Sequence, residues 1–409
     1  MKKDEDENGG QVLKYILIVG DGMADYPLDE LEGKTPLQAA NTPNMDRMAR
    51  EGIVGTAKTI PDGMSPGSDV ANLAVMGYDP EKYYSGRAPL EAASMGIRLE
   101  SDEIAFRCNL VTVENGIMKD YSGGHISTPE AQGLIEAVDA SLGNERVKFH
   151  AGVSYRHLMV LKEDVLPICT PPHDISDRAI VPFLPQGSGS EMLRELMFAS
   201  CSVLEAHEIN HNRIREGKNP ANMIWLWGYG KPIKMPTLKQ RFGLSGGVIS
   251  AVDLVRGIGQ CAGLRSIAVP GITGYYDTNY IGKAEYALDA LKNDDFVFIH
   301  IEAPDEASHN GDLAAKIKAI EDIDEKVLGT ILNHIPDRAR ILLLPDHETP
   351  ISTKTHASGH VPFVIWGDGI KPDGILSYDE DSAQKSQLRL EKGWEILEYF
   401  ISLNATRCQ

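Results

Sequence analysis

The chain has 409 residues, 42% of them hydrophobic and 24% charged, and a formal net charge of -19. That length carries a full core and two domains. The acidic balance excludes nucleic acid and anionic membranes as partners, since both need a cationic face. It leaves room for a small phosphorylated substrate held at a metal or a local arginine cluster.

The opening stretch "MKKDEDENGGQ" is polar and lacks an apolar h-region, so residues 1–11 are expected to be a disordered tail. No run of about 18 apolar residues occurs, and the chain reads as cytoplasmic. The five cysteines, Cys108, Cys169, Cys201, Cys261 and Cys408, are scattered and form no C-x-x-C pair. That pattern fits a reducing compartment and argues against a thiolate zinc site. Nothing in the composition fixes the oligomeric state.

In chain order, "LKYILIVGDG" (13–22) predicts a strand buried on both faces. "TPNMDRMAREG" (42–52) predicts a helix with Thr42 as N-cap and Pro43 at its first position. Gly67-Ser68 opens a further helix in "PGSDVANLAVMG". The pattern then changes. "FRCNLVTVENGIMKDY" reads as a hairpin turning at Asn115-Gly116, "STPEAQGLIEAVDASLG" as a capped helix, and "VKFHAGVSYRHLMVL" as a strand. A long amphipathic helix follows from Glu191 towards Glu216.

Apolar runs at 223–228, 265–271, 295–304, 339–347 and 361–367 predict more strands of the first kind. They are interleaved with helical patterns at "GVISAVDLVRGIG", "IGKAEYALDALKN", "DLAAKIKAIEDIDEKVLGTIL" and "SQLRLEKGWEILEYFISL". Strand alternating with helix is the pattern of a parallel sheet covered on both faces. The predicted fold is therefore α/β, a doubly wound, mostly parallel sheet built from residues 12–100 and 220–409. A smaller α+β domain, residues 101–219, is inserted into it.

Four stretches at strand or turn ends carry chemistry: "IVGDGMAD" with Asp21, "PGSDVAN" with Ser68, "EAPDEASHNGD" with Asp305 and His309, and "PDHETPISTKTHASGH" with Asp346, His347 and His356. Ligands gather at the carboxyl edge of such sheets. Singly, each has a plainer explanation: an aspartate after a strand is usually a turn former, and a D-x-x-x-H pair a solvated helix face. Together, three carboxylates and three imidazoles at one sheet edge suit two divalent cations. Ser68 fits two roles, an N-cap or a nucleophile whose phosphate would sit on the helix N-terminus, where Asn72 one turn on could also touch it.

The stretches "GDGMAD", "PGSDVANLAVMGYDP", "GRAPLEAASMGI", "GVSYRHLMV", "PPHDI", "IWLWGYGK", "EAPDEASHNGD" and "PDHETPI" jointly resemble the archaeal-type cofactor-independent phosphoglycerate mutases, two-metal enzymes of the alkaline phosphatase superfamily. The resemblance implies one metal at Asp305, His309 and His356 and a second at Asp21, Asp346 and His347, with Ser68 the metal-bound nucleophile that becomes phosphoserine. It implies interconversion of 3-phosphoglycerate and 2-phosphoglycerate without 2,3-bisphosphoglycerate. Manganese is the first candidate metal; magnesium, zinc and cobalt are also open. His360 has no counterpart role and is expected either to support a ligand from behind or to be structural. Candidate substrate contacts are Asn72, Arg87, His125, Arg156, His157, His173, Asp174 and Lys283. Arg156 stands out because it interrupts an apolar strand. The same residues also suit a homoserine kinase or a metal-dependent phosphatase, although no G-x-x-x-x-G-K-[ST] cradle occurs.

Overall fold

A computed structural model describes residues 12–403. The expected tail at 1–11 and Cys408 lie outside the described residues. The described residues fall into two compact units, one of residues 12–84 with 234–403, the other of residues 85–233.

In the first unit, strand Lys14–Gly20 lies between Phe296–Ile301 and Ala339–Leu344, parallel to both. Its residues Ile16 to Val19 are fully buried, which accounts for the unbroken apolar run. Among the described residues the sheet has eight strands, in the order 265–266, 246–249, 296–301, 14–20, 339–344, 361–367, 53–57, 389–390. Only Val361–Gly367 runs against the rest, antiparallel to both neighbours. The sheet is mostly parallel, as expected. Ile16 and Ile18 pack with Met45 and Met48 of helix Pro43–Glu51, Ala284 and Ala287 of helix Tyr280–Ala290, and Ile320 of helix Leu313–Asp322.

Helix Pro43–Glu51 starts where predicted, but the Thr42 hydroxyl does not cap it. The cap comes from across the chain. Asp324 accepts the N–H groups of Asn44 and Met45, at 3.2 and 2.7 Å. Asp324 can reach them from a π-helical stretch, Ile323–Leu328, inside the long predicted helix.

The second unit holds an antiparallel sheet of strands 117–120, 104–114, 156–161 and 147–153, with Met223–Gly230 on the other side of 104–114. The run at 223–228 was expected in the parallel sheet, and this is a correction: an apolar run reports burial, not strand direction. The hairpin turns at Asn115 and Gly116, both with positive φ, as that dipeptide allows. "VKFHAGVSYRHLMVL" is two strands rather than one, folded back at Ser154, whose φ is 54°. The helix expected from Glu191 to Glu216 is broken in two, at 190–205 and 208–215, because the His207 side chain accepts the Ile209 N–H and starts a new helix.

Two further expectations fail in the first unit. "GVISAVDLVRGIG" begins as strand Gly246–Ile249 and becomes helical only at Asp253–Cys261. "SQLRLEKGWEILEYFISL" is α-helical only over Ile396–Ser402, after a single 3-10 turn at Gly393–Glu395. At Gly393 the chain lies against Lys58, whose carbonyl accepts the Gly393 N–H at 2.8 Å and leaves no room for a Cβ.

Candidate metal centre

Three adjacent parallel strands, 296–301, 14–20 and 339–344, end on one edge of the sheet, and each is followed by a carboxylate. Asp21 comes directly after the first of these in the chain. Asp305 lies in the first turn of helix Ala303–Asn310, which Pro304 opens, with His309 one turn on. Strand 339–344 stops before Pro345, and the turned backbone lets the neighbours Asp346 and His347 both point inward, at 0% and 1% exposure.

The side chains converge. His309 Nε2 is 3.1 Å from Asp305 Oδ2, His356 Nε2 is 3.5 Å from Asp305 Oδ1, and the two Nε2 atoms are 3.0 Å apart. His347 Nε2 lies 3.5 Å from Asp21 Oδ1, 3.6 Å from Asp346 Oδ2 and 3.2 Å from Ser68 Oγ. Every residue expected to hold a metal is in this cluster.

Its electrostatics are those of a site built for cations. Burial, then the neighbouring Asp346 and Asp305 charges, raise the Asp21 pKa well above the usual carboxylate range. Burial also works to raise Asp305, but hydrogen bonds from His309 and His356 outweigh it and hold that carboxylate well below normal. The same Asp305 bond lifts His309 to about 9. Among the described residues, Asp21 Oδ1, Asn72 Oδ1 and His300 Nε2 are buried without a hydrogen-bond partner. Unpaired buried oxygens and nitrogens are costly unless something else satisfies them. Ligand atoms of Asp305, His309 and His356 lie within 4.8 Å of one another, as do those of Asp21, His300 and Asp346 and of Asp21, Asp305 and His347. The donor set, oxygen with imidazole nitrogen, fits divalent ions such as manganese or zinc.

Ser68 is the first residue of helix Ser68–Val75, and Gly67 takes the N-cap position. The N-cap alternative therefore fails: the hydroxyl caps nothing and faces His347. Asn72 also differs from expectation. Its Nδ2 donates to Asp346 Oδ2 at 2.7 Å and to the Ser68 carbonyl at 2.9 Å, so it orients a carboxylate and the serine backbone. Lys283 is 1% exposed and its ammonium donates to the His300 carbonyl at 2.7 Å. Burial drops it to about 8. It supports the strand end rather than reaching outward. His360 pairs with Glu391 at 3.3 Å.

In the second unit, Arg107 bonds Glu91 at 3.1 Å and stacks 4.2 Å over Trp227. Arg87 and Arg156 both bear on its charge, and Arg87 and Arg107 on that of His173. His173 packs edge-on against Trp227 and lies 3.6 Å from Asp174. Three of the expected contacts thus gather in one cationic cluster. His125 is exposed in the Gly123–Gly124 turn. His157 is a correction: it is 2% exposed, its Nδ1 accepts the Gly152 N–H, and burial depresses it to about 3, so it is a core histidine.

Residues 49–210 match the family model for 2,3-bisphosphoglycerate-independent phosphoglycerate mutase. The chain is 53% identical to the enzyme of that name from Methanosarcina acetivorans, over 94% of this chain and 98% of the relative. It belongs to that mutase family. A Geobacter sulfurreducens relative, described as a probable mutase of the same kind, is 52% identical over 95% of this chain and all of its own length. Among solved structures, a Pyrococcus horikoshii protein superposes with a TM-score of 0.82 at 31% identity, covering 96% of this chain and 98% of its own. A cofactor-independent phosphoglycerate mutase from Thermoplasma acidophilum gives 0.67 at 27%, with 96% and 99% covered.

In this member of the mutase family, sequence reasoning missed three residues at the sheet edge. His300 lies 3.1 Å from Asp21 Oδ2, at an angle that makes no hydrogen bond, and burial holds it neutral at about 4. Its signal was a lone imidazole in the apolar run "FVFIHI". Glu302 is pushed up to about 8 by burial and by the charges of Glu306 and Asp305. Thr349, fully buried, bonds both Asp305 and His347. In the second unit, Arg107 was missed because its pattern is that of a strand residue.

Proposed function

We propose that this chain interconverts 3-phosphoglycerate and 2-phosphoglycerate, passing the phosphoryl group through Ser68, as an enzyme of the cytoplasm independent of 2,3-bisphosphoglycerate. The observation that carries the mechanism is Ser68 Oγ, free of any capping duty and 3.2 Å from His347 Nε2 beside three buried carboxylates. Divalent cations, manganese first among the candidates, held by Asp305, His309 and His356 and by Asp21, Asp346 and His347, would lower the serine pKa and offset phosphate charge. The Ser68 oxygen attacks phosphorus in line, and glycerate leaves with its oxygen. The N–H groups at the start of helix Ser68–Val75 receive the equatorial oxygens, aided by the helix dipole. Glycerate then takes the group back on its other hydroxyl. Arg87, Arg156 and His173 are proposed as the contacts for the substrate carboxylate, and exclusion of water from the phosphoserine is what separates a mutase from a phosphatase.

A coupled assay with 3-phosphoglycerate and manganese tests this, run beside homoserine with ATP and a measurement of free phosphate. Isomerisation without phosphate release is expected. Ser68→Ala is expected to abolish turnover with fold and metal content retained; substantial turnover by that variant would rule out the phosphoserine route.

A further inference from the structure

The Thr349 hydroxyl touches both halves of the cluster. Its Oγ1 is 2.6 Å from Asp305 Oδ1 and 3.1 Å from His347 Nδ1. A hydroxyl has one proton to give. An ionised carboxylate only accepts, so that proton goes to Asp305. Towards His347, Oγ1 can then only accept, which places the imidazole proton on Nδ1. Nε2 is left with its lone pair, directed at the space shared by Ser68 Oγ, Asp21 and Asp346.

We propose that Thr349 is the positioning residue that joins the two cation sites, fixing the His347 tautomer for one and the Asp305 orientation for the other. The inference rests on the reading that these residues hold divalent cations. Thr349 is itself fixed at every polar atom. Its N–H donates to the Ala24 carbonyl at 3.1 Å, and its carbonyl accepts the buried Lys316 ammonium at 2.9 Å. Lys316 is held in turn by Asp25 at 2.7 Å. Gly22, with φ +61°, permits the approach: a Cβ there would come within 2.6 Å of both Thr349 Oγ1 and Asp305 Oδ1. A side chain buried at 0% exposure and anchored this way has no freedom to swap partners.

Partners that orient ligands in this manner are worth about 10–100-fold in metal affinity. The test is titration of the metal-free full-length protein with Mn²⁺, counting free ion by electron paramagnetic resonance. The wild type is expected to take up two ions per chain. Thr349→Val, which keeps the shape and removes the hydroxyl, is expected to weaken both by about 10–100-fold, and Thr349→Ser to recover most of the loss. A wild type that binds no Mn²⁺ would overturn the metal reading itself. A wild type that binds two ions beside a Thr349→Val protein that binds them equally well would overturn the Thr349 assignment alone. Should the valine variant not fold, the ¹⁵N spectrum of His347 in the metal-free wild type decides, with assignment by His347→Gln. Protonated Nδ1 supports the proposal and protonated Nε2 refutes it.

Discussion

Replacing Gly22 by alanine adds one methyl group at the most crowded point of the cluster. Gly22 holds φ at +61°, and its Cβ would stand 2.6 Å from Asp305 Oδ1 and Thr349 Oγ1 and 2.9 Å from Asp305 Cα. Asp305 Cα belongs to the backbone of helix Ala303–Asn310 and cannot move aside. The left-handed conformation alone costs alanine about 1–2 kcal/mol. Forcing a methyl into packed surroundings adds about 1–3 kcal/mol, for a total of about 2–5 kcal/mol. Gly33 supplies the control. Its φ is +82°, but nothing lies within 4 Å of its added Cβ, so Gly33→Ala should cost only the conformational part. Urea unfolding of both variants, with Mn²⁺ titration of each, separates the two contributions. Gly22→Ala should be the less stable by about 1–3 kcal/mol and should bind Mn²⁺ more weakly, because Asp305 is displaced. Equal stabilities with unchanged affinity would refute the reasoning.

Asp25→Ala leaves the Lys316 ammonium buried without its carboxylate, an expected loss of about 3–5 kcal/mol in urea unfolding. Adding Lys316→Met should restore much of it. His157 is held at about 3 in the folded state against 6.5 ordinarily, so below about pH 6.5 the unfolded chain binds a proton that the folded chain does not. Stability should fall as pH drops from about 6.5 towards 3, by up to about 1.4 kcal/mol per pH unit from this group. His157→Asn, which keeps an acceptor for Gly152 N–H, should flatten the slope by that amount; an unchanged slope contradicts the assignment. Saturating Mn²⁺ at about 100 times its Kd should stabilise the metal-stripped protein by about 2.7 kcal/mol for each site filled, read as a rise in Tm that chelator reverses. Identical melting with and without the ion would count against a cation site among Asp21, Asp305 and Asp346.

Much of the sheet edge was legible because its chemistry interrupts apolar runs. Asp21, Asp305 and Asp346 each follow a strand whose interior is wholly buried, and no packing argument asks for a carboxylate there. His300 escaped because one polar residue inside such a run reads as core, and only the neighbouring strand brings Asp21 beside it. Thr349 escaped for a related reason: its partners are 2 and 44 residues away, and a threonine in a turn has many ordinary explanations. Asn72 was placed on the correct helix face, but which partner takes its amide is a tertiary fact. The strand at 246–249 was masked because Val248 and Ile249 continue the apolar stripe of the helix that follows. Met223–Gly230 went to the wrong sheet because hydrophobicity does not encode direction.

The three carboxylates stand at positions 21, 305 and 346, and the last imidazole of the cluster at 356. During synthesis, the ribosome must therefore carry the chain through residue 356 before the cluster can close. Until residue 305 is made, Asp21 is the one carboxylate of these three in the nascent chain. Each expected ligand trio therefore closes only with residues from 346 to 356, and a product ending before residue 346 lacks Asp346, His347 and His356 of the cluster.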